Sequence, residues 1–98
     1  MNTARTDITR GAVTETVRTE ELDPLLGLYT PGAHPHATVS ISVGTQVNFG
    51  EVKVTAHVSY QCDQNNKKVD EAGMLAFEKA VSFMNDGLKL LTATENTG

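Results

Sequence analysis

Between Thr38 and Leu91 the hydrophobic period of the chain changes once, and that switch restricts the fold more than any other feature. Val39, Ile41, Val43, Val47 and Phe49 place apolar side chains at odd positions. After Gly50 the phase flips, and Val52, Val54, Ala56, Val58, Tyr60 and Cys62 occupy even ones. Alternation of this kind puts successive side chains on opposite faces of a strand. Past Lys68, the residues Met74, Phe77, Val81, Met84, Leu88 and Leu91 recur at steps of three and four, the spacing of a helix face. The pattern predicts an α+β fold, an antiparallel β-hairpin followed by one long C-terminal helix (ββα). The strands are expected over 38–47 and 51–62, joined at Asn48-Phe49-Gly50-Glu51, and the helix over 69–92, with Asn66 or Asp70 as its cap.

The remainder is organised around that unit. Residues 1–36 read as an irregular, flexible N-terminal arm, 37–92 as the ββα domain and 93–98 as a tail. The arm is rich in Thr, Arg and Glu and has little to bury. Its β-branched residues Ile8, Val13 and Val17 leave a strand open as the alternative. Within the arm, Leu22, Leu25, Leu26, Leu28 and Tyr29 form a dense apolar segment over 22–29 around Asp23-Pro24. Two readings stand side by side: a short turn of helix that plugs the domain's own core, or a docking segment that packs on a neighbouring subunit.

A two-stranded ribbon and one helix do not close a core by themselves. The helix is also apolar on nearly two faces, since Ala72, Ala76, Ala80, Phe83 and Leu90 lie beside the row from Met74 to Leu91. One stripe is enough to cover a small sheet. The chain itself is the expected partner, as a homodimer or higher oligomer, through Met74, Phe77, Val81, Met84, Leu88 and Leu91 or through paired strand edges.

Chemistry is sparse. With 12 acidic and 8 basic residues the net charge is −4, which argues against nonspecific duplex DNA binding. His34, His36 and His57 lack the cysteine or carboxylate neighbours of a metal site, and no metal or cofactor is expected. Cys62 with His57 or His36 would be the smallest nucleophile–base pair, but Cys62 continues the apolar register of its strand and reads as a buried hydrophobe. Asp63, Asp70 and Glu71 precede or open the helix, where carboxylates are favoured anyway. Lys53, Lys67 and Lys68 are the candidate nucleic-acid contacts. No apolar run reaches the roughly 18 residues of a membrane helix, Met1–Arg10 has no signal-peptide core, and a lone cysteine suits a reducing cytoplasm.

The run VSISVGTQVNFGEVKVTAHVSYQCD, Val39 to Asp63, followed by a long helix, resembles a set of small proteins encoded in phages and prophages. Their pattern is a strand ending near VNxG, a tight turn with an acidic residue, a strand VKVxxxV, a polar break and a single helix. Asn48, Gly50, Glu51 and Lys53 fill those places, with a shorter turn than most such proteins have. The resemblance covers a little over half of the chain and not its N-terminal third. It implies a phage setting, hence the cytoplasm of a bacterial host, and no particular activity.

The expectation is therefore a non-catalytic phage-type binding protein that acts by occupying a surface of a host or phage macromolecule, for instance as an inhibitor of host defence. A protein partner is expected rather than nucleic acid, and no membrane. Two alternatives are an oligomeric single-stranded nucleic-acid-binding accessory protein of phage recombination or replication, and an oligomer that sequesters a small molecule.

Overall fold

The computed structural model describes residues 2–32, 35–47 and 51–96. The fold is α+β. Strands β1 (Thr3–Arg10), β2 (Val13–Glu21), β3 (His36–Val47) and β4 (Val52–Asp63) form one antiparallel sheet in the order β2-β1-β4-β3, and helix α1 (Asn66–Asn96) packs on one face of it.

The hairpin and helix lie where the periodicity puts them. Pairing is unbroken from His36 opposite Asp63 to Val47 opposite Val52, while the expected turn at Asn48–Gly50 lies outside the described residues. The helix begins earlier than expected because Asn65, not Asn66 or Asp70, caps it: its Oδ1 accepts from the amides of Lys67 and Lys68 at 3.0 and 3.4 Å. It continues through Asn96, past the expected end at 92.

The irregular arm is the part that needs correction. Residues 3–21 form a second hairpin, and its first strand lies in the middle of the sheet, paired to β4 from Thr3 opposite Ser59 to Arg10 opposite Val52. Ala4, Thr6 and Ile8 point at the helix and are buried beside Val58, Ala56 and Val54. Arg10 opposite Val13 leaves a two-residue turn of Gly11 and Ala12, and the positive φ of 60° at Gly11 suits the tight turns that join antiparallel strands. One residue bulges in β2: Thr6 faces Arg18 but Asp7 faces Thr16, so Val17 is supernumerary and packs toward Leu91 and Ile8.

The helix meets the sheet through its small residues. Ala72, Ala76, Ala80, Phe83 and Leu91 are buried there. Three alanines four apart let the helix axis come close to the strands. Gly87 extends that seam, since a Cβ placed on it would fall 2.9 Å from both Thr6 Cγ2 and Val54 Cγ1.

Candidate functional site

Among the described residues, no element covers the sheet's second face. The odd positions of β1 and β4 and the even positions of β3 point away from α1. They carry Thr3, Arg5, Asp7 and Thr9, then Lys53, Thr55, His57, Ser59 and Gln61, then Thr38, Ser40, Ser42 and Gln46. No aromatic residue occurs among these positions.

One row of side chains crosses all four strands on this face. Thr16 donates to Asp7 Oδ1 at 2.8 Å, His57 Nε2 lies 3.3 Å from Asp7 Oδ2, and Ser42 Oγ is bonded to His57 Nδ1 at 2.7 Å. Arg5 donates through Nε to the same Asp7 Oδ2 at 3.2 Å. The Asp7 side chain is only 10 % exposed, and a carboxylate so far out of water needs these donors. Hydroxyl pairs flank the row at Ser40–Ser59, 2.8 Å, and Thr9–Thr14, 2.9 Å.

The row has the order nucleophile, base, carboxylate. With Nε2 turned to Asp7, a neutral His57 keeps its proton there and Nδ1 accepts from Ser42. Acyl transfer also needs donors around the developing oxyanion and a site from which water is excluded. Ser42 is exposed on an open sheet. What the row does well is hold a flat set of donors and acceptors in fixed positions.

A second polar cluster closes the other end of β4. Asp63 accepts from Thr30 N at 2.9 Å, from Thr30 Oγ1 at 2.9 Å and from Lys68 Nζ at 2.9 Å. His36 Nε2 donates to the Thr30 carbonyl oxygen at 2.8 Å and lies 3.6 Å from Asp63 Oδ1, and the ring stacks on Tyr29 at 4.6 Å. Lys68 and the Thr30 amide hold the Asp63 carboxyl well below the usual carboxylate range, although burial works the other way. The cluster is a fastening: it ties the 28–36 connection to the start of α1.

A group whose folded value is depressed stabilises the fold above its unfolded value, near 3.9 for aspartate, and loses that contribution as pH falls toward the folded value. The Asp63→Asn variant is accordingly expected to be less stable than the parent at pH 7 and to differ from it less at pH 3, as urea unfolding at the two pH values would show. An equal deficit at both would mean that the carboxylate charge contributes nothing.

The residues singled out in the sequence separate in space. Of the apolar segment, Leu28 is buried against Cys62 and Ala72, Leu25 packs on the same cluster, Leu22 is half-buried, and Tyr29 stacks on His36. The segment plugs this chain's own core, and only Leu26, 98 % exposed, points away. In the helix row, Leu91 is buried, Met84 and Leu88 pack on the chain's own core, Val81 is half-buried, and Met74 and Phe77 are exposed at 66 % and 52 %.

Lys53 lies near one end of β4 and Lys67 and Lys68 beyond the other. At about 3.4 Å per residue the strand between them spans roughly 30 Å. They form no common patch, and Lys68 is engaged by Asp63. Cys62 is buried on the helix face while His57 lies on the open one, so the two cannot act as a pair. Burial and the neighbouring Asp63 also push the Cys62 thiol up, away from a reactive thiolate. His34 lies outside the described residues. Among those described, no three His, Cys, Asp or Glu side chains are grouped to hold a metal ion, and no helix is long and apolar enough to cross a membrane.

Sequence reasoning missed Asp7, Arg5 and Thr16 because they fall in the stretch read as an arm. The available signal was the alternation of Thr3, Arg5, Asp7 and Thr9 with Ala4, Thr6 and Ile8. Set against known proteins, the chain matches no family model, no curated protein and no solved structure.

Proposed function

We propose that this chain is a non-catalytic binding protein whose working surface is the open face of the sheet. In this reading it acts by occupying a surface of a macromolecular partner, and the resemblance of its hairpin to phage-encoded proteins makes a host or phage protein the partner class, with inhibition of host defence as one form. The observation that carries the reading is the Thr16–Asp7–His57–Ser42 row, which crosses the whole sheet with its geometry already set. Side chains ordered before binding lose less conformational entropy when a partner arrives. The flat, hydroxyl-rich surroundings suit hydrogen bonding to another protein surface. The nucleic-acid alternative is not favoured, because the open face offers no aromatic platform for base stacking and the three lysines are dispersed.

The test uses the full chain immobilised against a bacterial host lysate, with the retained protein identified, purified and titrated by calorimetry. Ser42→Arg, at an exposed position at the end of the row, is expected to weaken that complex at least about tenfold. Glu78→Arg, on the solvent side of α1, is expected to leave it unchanged. A complex indifferent to Ser42→Arg, or no retained protein at all, would overturn the reading.

A further inference from the structure

We infer that the β3 edge of the sheet is the seat of a second copy of this chain, giving a continuous antiparallel sheet across a two-fold axis. The two edges of the sheet are built differently. The β2 edge, VTETVRTEE, carries Glu15, Arg18, Glu20 and Glu21, charges that keep a foreign strand away. The β3 edge, HATVSISVGTQV, is twelve residues long and has no proline, aspartate, glutamate, lysine or arginine. Its register with β4 is regular throughout, so no bulge turns it aside. A long, flat, uncharged edge offers unpaired amides and carbonyls to another strand unless something covers it.

The helix says which occupant fits. Position 73 lies over β3, since a Cβ there would sit 3.8 Å from Val39 Cγ1. Phe77 and Val81 follow at four-residue steps, so they share that flank of α1, and Met84 and Leu88 continue it onto the same cluster that Val47 packs against. The opposite flank is already engaged with β2, through the 2.9 Å ion pair of Asp86 with Arg18. The exposed apolar flank and the half-buried Val39, Ile41 and Val43 therefore form one strip along one edge.

A lone peptide strand would pair with β3 and leave the Phe77 flank in water. A second copy brings its own helix. Antiparallel self-pairing about an axis normal to the sheet keeps both helices on one side when odd residues face odd, as in registers centred on Ile41 or Ser42. The register centred on Ile41 sets Ile41 against itself and Val39 against Val43, and the one centred on Ser42 sets Ile41 against Val43 and Val39 against Thr45; either apposes the two Phe77 flanks and places no like charges opposite each other. Self-pairing of β2 would instead bring together two strands that each carry three glutamates. This inference does not depend on the partner-binding reading, and its variants lie on the helix flank rather than on the open face of the sheet.

The test is the mass of the full chain in solution by light scattering over a dilution series, joined to amide hydrogen exchange resolved by residue. Twice the chain mass of 10.5 kDa is expected at high concentration. Alternate amides of β3, those turned outward, should lose protection on dilution while β4 stays protected. Phe77→Glu with Val81→Glu is expected to weaken the dimer at least tenfold with the circular dichroism spectrum unchanged. Three results would overturn the proposal: a chain monomeric at every concentration, a dimer whose outward β3 amides exchange freely, and a chain that is monomeric alone but protected at β3 by a different protein. Should the double variant unfold, Phe77→Glu alone serves, because that side chain is already half in water.

Discussion

Phe83→Ala is expected to destabilise the fold by about 3–5 kcal/mol, against a total of roughly 5–15 kcal/mol for a domain of this kind. Phe83 is the largest side chain that the helix sends into the centre of the core: 3 % exposed, clustered with Ala4, Ala56, Val58, Tyr60, Ala76 and Ala80. Four of these six neighbours are alanines, which have no reach, so the void is filled only as far as Val58, Tyr60 and the half-buried side chains around them can shift. The loss is compounded on the outer side of the ring, where the Arg18 guanidinium stands 3.9 Å from the centroid and would lose its stacking surface. For a chain of about this length a change of this size lowers the midpoint of thermal unfolding by on the order of 20 °C, visible in a circular dichroism melt. Phe83→Leu keeps most of the volume and is expected to lose less than half as much. A drop under 5 °C for the alanine variant would mean that the ring is not the keystone of this interface.

The second large effect is at Gly87, and it comes with a change of sign at a second glycine of the same helix. A Cβ on Gly87 would lie 2.9 Å from the methyl groups of Thr6 and Val54, β-branched residues on the two central strands that cannot swing aside. Gly87→Leu is expected to lift the C-terminal half of α1 from the sheet at a cost of about 3 kcal/mol, the upper end for overpacking. Gly73 sits in the same helix but its Cβ would meet only Val39 Cγ1 at 3.8 Å, an ordinary contact. There Gly73→Ala is expected to stabilise by about 0.5–1 kcal/mol, the helix-propensity difference. Urea unfolding of the two variants decides it. Shifts of the same sign would show that propensity, not close approach, governs both sites.

The β3–β4 hairpin and α1 were readable because their apolar residues keep strict periods over ten residues or more. The width of the helix's apolar surface was readable too, but not which part of it faces inward. Size rather than hydrophobicity decides that: Ala72, Ala76 and Ala80 allow closer contact than Met74 or Phe77, so the more apolar row lies to the side. The same closeness hid β1. Its inward positions, Ala4, Thr6 and Ile8, need not be large where the helix lies low, so the stretch lacked the alternation of bulky residues by which β4 is recognised. β2 is exposed along most of its length and buries little beyond Val17, which leaves no hydrophobic trace of a strand. The polar row was out of reach for a different reason. Asp7, Thr16, Ser42 and His57 belong to four separate strands, and no local spacing in the chain records their meeting.

The order of strands has a kinetic consequence. β1 precedes β4 in the chain by more than forty residues, yet the two are neighbours at the middle of the sheet, with β2 and β3 outside them. Each hairpin closes locally, on the order of microseconds, but joining them requires closing a long loop before any of the central contacts is gained. Topologies rich in such distant pairings fold slowly for their size. During synthesis the β1–β2 hairpin emerges first and must wait, with the inner edge of β1 unpaired, until β4 has left the ribosome. Mutations that speed or slow folding should therefore concentrate along the β1–β4 seam, at Ala4, Thr6, Ala56 and Val58, while changes in either outer strand act chiefly on the rate of unfolding.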